Sequence, residues 1–418
     1  MYKRNHIVRP VSLNVQSIAK EVKNMAQPEV VVLSGVRTAI GDFGGGLKDK
    51  PPTELGAAVV REAVKRAGVQ PEDIEHVVFG NVIHTDVHDM YLARVATING
   101  GIPKETPALT LNRLCGSGLQ AIVSAAQTIY LGDAKAAIGG GAEVMSRGQY
   151  WVPGARWGQR LGDGKIIDAV VGALSDPFDD CHMGVTAENV AEKWGITRQQ
   201  QDELALQSHQ RAVAAIKAGY FKEQILPIES TVKGKTVVFD RDEHAKEDTS
   251  LEKLAKLRPA FKGDGTVTAG NASGINDAAA AVVLMEASEA SRRGLKPLGR
   301  LVAYAHAGVD PKYMGIGPVP AVRKVLERAN LTIKDMDVIE LNEAFAAQAL
   351  AVMRDLDLPL DRTNPNGSGI SLGHPIGATG CILTVKALYE LRRTGGKYAL
   401  VTMCIGGGQG IAAIYEAM

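Results

Sequence analysis

Cys115 stands in Leu114-Cys115-Gly116-Ser117-Gly118, directly ahead of a run whose apolar residues Leu119, Ile122, Val123 and Ala126 recur at helical spacing. A thiol at a helix N-terminus meets the positive end of the helix dipole, which favours the thiolate, and the flanking glycines leave room for a substrate. The same place suits a small buried core residue, so the reading turns on whether a base is at hand. His374, between Gly373 and Pro375 just before another helix, supplies one. A stretch opened by Asn366-Gly367-Ser368-Gly369 holds it on a loop rather than in a packed element. A second thiol, Cys404, closes a strand over 398–403 ahead of Ile405-Gly406-Gly407-Gly408, a glycine run whose backbone N–H groups are open to an oxyanion. Asn342 begins Asn342-Glu343-Ala344-Phe345 after a strand over 338–341, and spacing alone marks it as the N-cap of the next helix. Two thiols and an imidazole suit covalent catalysis with a separate acid/base.

These groups are scattered along the chain, and an internal repeat accounts for their meeting. Residues 60–74 align without gaps on 322–336, with Arg61/Arg323, Arg66/Arg328, Ala67/Ala329 and Asp73/Asp335 identical. In each copy a helix with apolar residues at helical spacing runs into a short strand, 77–79 or 338–341. Each copy then repeats a Gly-rich turn, a helix, a turn and a strand ending in three glycines. In the first these are Cys115-Gly-Ser-Gly, a helix to Tyr130, Gly132-Asp133, a strand over 136–138 and Gly139-Gly140-Gly141. In the second they are Gly377-Ala-Thr-Gly380, a helix to Leu391, Gly395-Gly396, a strand over 398–404 and Gly406-Gly407-Gly408. Two similar α/β halves, expected at 27–144 and 297–418, imply layered sheets with helices around them. Between them, 145–275 differs in texture: a charged helix over 197–217, a Lys/Asp/Glu-rich stretch at 232–256, and loops rich in Gly and Pro. An insertion of that size is more than a loop and is expected to be a lid or ligand-holding domain. The apolar stretch 276–296 is expected to return to the first half's sheet.

In this order, Asn112-Arg113-Leu114-Cys115-Gly116-Ser117-Gly118, Asn342-Glu343-Ala344-Phe345-Ala346, Gly373-His374-Pro375-Ile376-Gly377 and Cys404-Ile405-Gly406-Gly407-Gly408 resemble the four motif blocks of the thiolase family. The resemblance spans about 28–418 and is closest to the bacterial β-ketothiolase/acetyl-CoA acetyltransferase type. It implies a layered αβαβα core of duplicated halves with an inserted loop domain. It also implies reversible Claisen condensation of acyl-CoA with acetyl-CoA, and thiolytic cleavage of 3-ketoacyl-CoA. Coenzyme A and acyl-CoA would be substrates, no cofactor would be bound permanently, and the chain would form a homodimer or homotetramer.

The same resemblance assigns roles: Cys115 is the nucleophile, His374 its base, and Cys404 the acid/base at the second substrate. His374 and a water held by Asn342 would face the thioester oxygen, and the N–H groups of Cys115 and Gly406 the acyl-enzyme oxygen. Implied CoA contacts are Leu174, His182, Met183, Phe261, Ala269, Ser273, Ala344 and Phe345. Lys246 falls where the family often places a phosphate-pairing Arg, and Met314 would either line the acyl pocket or pack in the core. Asn366-Gly367-Ser368-Gly369 replaces the Gly-Gly of many biosynthetic thiolases, which tilts the range toward chains longer than acetoacetyl.

Composition narrows the alternatives. The 418 residues, 45% hydrophobic, divide naturally into two or three domains, and 47 basic against 46 acidic side chains give a net charge of +1. Such a balance offers no general field for nucleic acid or a membrane surface, and no apolar run approaches the ~20 residues of a bilayer span. Four cysteines in so long a chain read as intracellular thiols, and none sits at metal-ligand spacing. The expected location is cytoplasmic. The basic segment before Glu21, part of an N-terminal extension over 1–26, keeps a mitochondrial transit reading open. A ketoacyl-synthase-like condensing enzyme on the same fold would carry a second histidine in place of Cys404. A non-catalytic acyl-binding relative would not need all four groups, and a dinucleotide dehydrogenase lacks its GxGxxG after the first strand.

Overall fold

The computed structural model describes residues 28–232 and 235–418, so the extension expected at 1–26 lies outside the described residues. Val30–Thr38 (β1) is buried along its whole length, as a strand covered on both faces must be. Gly41–Asp42 (β2) follows. Helix α1, Pro52–Ala67, starts on a proline and ends at Gly68, whose φ of 68° is the left-handed cap that glycine adopts without strain. Then come His76–Gly80 (β3), Leu92–Asn99 (α2), Ala108–Leu111 (β4), Ser117–Tyr130 (α3) and Ala136–Val144 (β5).

Residues 145–275 leave the sheet at the end of β5 and, among the described residues, pair with it again only where Ile225–Leu226 runs parallel to Arg37 and Thr38 of β1. They contain Met183–Trp194 (α4) and Arg198–Ala218 (α5), the latter opened by a capping box of Thr197 and Gln200. Buried Arg37 of β1 ties this segment down, with two bonds to the Asp242 carboxylate at 2.7 and 2.9 Å and one to Gln224 at 2.8 Å. The chain returns as Asn276–Glu286 (β6), an apolar run that slots antiparallel between β1 and β5.

The second half comprises Gly299–Gly308 (β7), Pro318–Ala329 (α6), Val338–Leu341 (β8), Ala346–Asp355 (α7), Thr379–Thr394 (α8), Tyr398–Ile405 (β9) and Gln409–Ala417 (β10). β1 and β7 meet in three residue pairs, Val30–Leu301, Val31–Arg300 and Val32–Gly299. Outward from that seam the order is β1-β6-β5-β3-β4 on one side and β7-β10-β9-β8 on the other. A fifth strand persists in the second half only as a parallel bridge between Ile339 and Thr363, where the first half has the parallel pair β3–β4. The repeat extends to its caps. Asn330 closes α6 in the left-handed region, φ 53°, as Gly68 closes α1. Asp73 and Asp335 then accept the backbone N–H of Gln70 and Thr332 at 2.8 and 2.7 Å.

Helices α3 and α8 pack on each other, and each touches strands of both halves. α1 and α2 cover the far face of the first sheet, and α6 that of the second. The layers therefore run α-β-α-β-α, the class expected.

Two local expectations are corrected. The glycine triplets are not equivalent: Gly139-Gly140-Gly141 lies inside β5, whereas Gly406-Gly407-Gly408 forms the turn between β9 and β10. The first triplet serves packing, since a Cβ on Gly139 would sit 2.6 Å from the backbone of Ile122 in α3 and one on Gly141 2.2 Å from the Gly377 carbonyl. Nor is Asn342 an N-cap. Phe345 holds that place before α7, and the Asn342 N–H instead donates to the Thr402 carbonyl at 3.0 Å, which leaves its side chain for other work.

Candidate active site

Cys115 is presented by a single 3-10 turn, Leu114–Gly116, ahead of α3. Leu114 has φ 45°, a conformation costly for a branched residue. The Ser117 hydroxyl holds the turn, accepting the Arg113 N–H at 2.8 Å and donating to the Leu114 carbonyl at 2.7 Å. Gly116 lets the turn lie on β9, because a Cβ there would meet Ile405 at 2.6 Å. From the other half, Cys404 lies inside β9 and is completely buried, rather than closing a shorter strand.

The His374 backbone follows Gly373 at φ 104°. Its Nδ1 lies 2.7 Å from the Thr379 hydroxyl, whose own proton goes to the Pro375 carbonyl at 3.0 Å. The Thr379 oxygen is therefore the acceptor, and the hydrogen-bond pattern assigns the proton to Nδ1. Nε2 is left unprotonated, 3.4 Å from Nδ2 of Asn342.

Cys115, His374, Cys404 and Gly406 line one cavity of about 330 Å³. Its remaining wall is mostly apolar. Leu174, His182, Met183, Phe261, Ala269 and Ser273 come from the insertion, and Met314, Ala344 and Phe345 from the second half. His182 and Phe261 stack with centroids 4.6 Å apart, and Phe345 meets Phe261 edge-on at 6.2 Å. Met314 is both cavity wall and nearly buried, which merges its two readings.

Burial governs the charges. It pushes the Cys115 thiol up, against the opposing N–H groups of Gly406 and Cys115 itself, and pushes the Cys404 thiol up as well, with Cys115 adding to the effect. Burial also takes His374 down to about 4. The helix terminus was expected to favour the thiolate; α3 starts only at Ser117, and desolvation is the largest influence on the Cys115 sulfur, acting in the opposite direction. Burial thus favours the neutral forms of both thiol and imidazole.

The sequence matches the family descriptions "Thiolase, N-terminal domain" over residues 30–288 and "Thiolase, C-terminal domain" over 295–417. The chain belongs to the thiolase family. It is 68% identical to the beta-ketothiolase BktB of Cupriavidus necator, across 93% of this chain and 99% of that one. The crystal structure of the Bacillus anthracis acetyl-CoA acetyltransferase matches with TM-score 0.92 at 49% identity, covering 94% of this chain and 100% of that one. A human mitochondrial 3-ketoacyl-CoA thiolase in complex with CoA matches with TM-score 0.91 at 47% identity, covering 94% and 98%.

In this thiolase every residue expected to touch CoA lies on the cavity wall; Asn342 does not, its Nδ2 lying 3.4 Å from Nε2 of His374. Lys246 lies apart, in a neighbouring cleft that shares Ala269 with the cavity and also holds His209, His244 and Lys253. Met145, Ala260, Ala272, Gly274, Ile275 and Ile376 complete the wall and were not expected from sequence; Ala260 adjoins Phe261, Gly274 and Ile275 adjoin Ser273, and Ile376 lies within the His374 motif. Among the described residues no helix is long and apolar enough to cross a membrane.

Proposed function

We propose that this acyltransferase reversibly condenses acyl-CoA with acetyl-CoA, and cleaves 3-ketoacyl-CoA with CoA, through an acyl thioester on Cys115. The observation that carries the reading is the meeting of two thiols and an unprotonated imidazole nitrogen in one cavity. In cleavage, Nε2 of His374 takes the Cys115 proton as the sulfur attacks the ketone carbonyl. Cys404 gives its proton to the departing acetyl-CoA enolate. Free CoA then takes the acyl group from Cys115, and the protons return by the reverse transfers. In synthesis Cys404 removes the α-proton of acetyl-CoA, and the carbanion attacks the acyl thioester.

The N–H groups of Cys115 and Gly406 favour negative charge at the sulfur, which supports them as the donors for the acyl-enzyme oxygen. The thioester oxygen of the second substrate belongs against protonated His374 and a water on Asn342, whose Oδ1 is buried without a hydrogen-bond partner among the described residues. The insertion holds CoA, with pantetheine along the His182–Phe261 stack and the nucleotide phosphates toward Lys246. The likeness to BktB and Asn366-Gly367-Ser368-Gly369 support a range extending past acetoacetyl-CoA. A homodimer or homotetramer in the cytoplasm completes the reading.

The test is thiolysis of acetoacetyl-CoA by CoA. Cys115→Ala is expected to abolish turnover and keep CoA binding; turnover by that variant sinks the assignment. Cys404→Ser is expected to lose α-proton exchange of acetyl-CoA far more than acyl-enzyme formation, and equal losses count against its separate role.

A further inference from the structure

Asn276, the first residue of β6, is fully buried and grips the His374 loop from behind. Its Oδ1 accepts the backbone N–H of His374 at 3.0 Å, while its Nδ2 donates to the Gly41 carbonyl at 3.1 Å and to Asp42 Oδ1 at 3.2 Å. Those two acceptors fix the sense of the amide, since a flipped amide would set NH2 against the His374 N–H and its oxygen against a carbonyl and a carboxylate. Gly373 makes room for the grip: a Cβ there would sit 2.3 Å from Cγ of Asn276.

Asp42 has a second partner. The same Oδ1 pairs with Nδ1 of His244, and chiefly this contact holds the Asp42 carboxyl below the usual carboxylate range. His244 belongs to the insertion and lines the cleft beside the cavity, and Gly274 is pressed against it, with a Cβ there only 2.5 Å from Cε1. The contacts run unbroken from His244 through Asp42 and Asn276 to His374. Neither Asn276, Asp42 nor His244 lines the cavity that holds the thiols.

We propose that Asn276 is a positioning residue of the reaction, which fixes the backbone at His374 so that Nε2 addresses the Cys115 thiol, and that the Asp42–His244 pair braces it from the insertion. The inference rests on His374 acting as the base. A base displaced by about 1 Å loses on the order of 100-fold in rate. The brace therefore acts on kcat, and the cavity wall that binds substrate is left as it is.

Asn276→Asp keeps the acceptor for the His374 N–H and sets a carboxylate against that of Asp42. It is expected to lower kcat of thiolysis about 10–100-fold, with KM nearly unchanged and alkylation of Cys115 slowed. Adding Asp42→Asn restores a donor opposite an acceptor with one carboxylate between them, and kcat is expected to recover most of the loss. An unchanged kcat in the single variant overturns the proposal, as does a double variant with native circular dichroism and no recovery. If neither folds, Asp42→Ala at the half-exposed end of the chain decides: several-fold slower turnover and Cys115 alkylation support it, and parent values overturn it. His374→Ala is measured in parallel. Parent-like turnover there would sink the base assignment itself, whereas a dead His374→Ala beside fully active Asn276 variants sinks only this inference.

Discussion

A Cβ placed on Gly380 of α8 would stand 2.2 Å from the backbone nitrogen of Leu119 in α3. The two central helices touch backbone to backbone, one carrying the turn of Cys115 and the other following the loop of His374. Gly380→Ala must push them apart, because a backbone nitrogen cannot swing aside as a side chain can. The expected cost is about 1–3 kcal/mol of stability or more, together with a loss of kcat larger than the fraction unfolded explains. Thermal unfolding and kcat measured on the same sample check this, and an active variant of parent stability contradicts the contact.

The Thr379 hydroxyl sets the tautomer of His374, so Thr379→Val removes the acceptor from Nδ1–H and leaves the ring free to carry its proton on Nε2, where it cannot serve as base. The expected result is a fall in kcat of about 10-fold or more with CoA affinity kept. Thr379→Ser should restore most of the activity, because the hydroxyl returns. Equal rates for the valine and serine variants would exclude the hydroxyl from the mechanism.

A neutral resting pair has a pH signature. Cys115 is raised and His374 lowered to about 4, both by burial, which disfavours each charged form. A thiolate–imidazolium pair would give rapid iodoacetamide alkylation already at pH 5–6, levelling off below neutrality. Here alkylation of Cys115, followed by mass spectrometry, is expected to keep rising with pH past the ordinary thiol range. The acid limb of kcat/KM is expected to fall only near pH 4 rather than 6.5, since the base stays unprotonated down to its own pKa. A plateau between pH 5 and 7 refutes the neutral pair.

Phe261 stacks on His182 and meets Phe345 edge-on. Such aromatic pairs contribute about 0.5–1.5 kcal/mol each. Phe261→Ala is expected to raise KM for acyl-CoA roughly 2–10-fold, the same energy expressed as affinity, and to leave kcat nearly intact because no reacting atom is touched. A fall in kcat without a change in KM would place Phe261 in the chemistry instead.

The sequence and the structure agree where local chemistry decides. The repeat was legible because Asp73 and Asp335 cap identical turns and because helix and strand periods survive in both copies. The thiols and His374 were legible because their motifs are short and their glycines unusual. The glycine triplets misled, because the same tripeptide is strand under α3 and turn after β9, and only the tertiary packing distinguishes them. Asn276 and Thr379 left no signal: one opens an apolar strand, the other a helix, and each has an ordinary local reading. The burial that raises the Cys115 thiol was not legible, because a dipole can be inferred from spacing, whereas desolvation depends on what folds around the sulfur.

β5 and β9 hold matching places in the two halves, yet one hands on to residues 145–275 before β6 and the other to three glycines before β10. A symmetric duplication would carry two equivalent clefts. Here the long excursion from the first copy reaches the short turn of the second, with Met183 within reach of Gly406, and among the described residues no comparable segment intervenes between β9 and β10. The imbalance shows in the site: among the described residues both thiols and His374 line one and the same cavity, although the scaffold around it is duplicated.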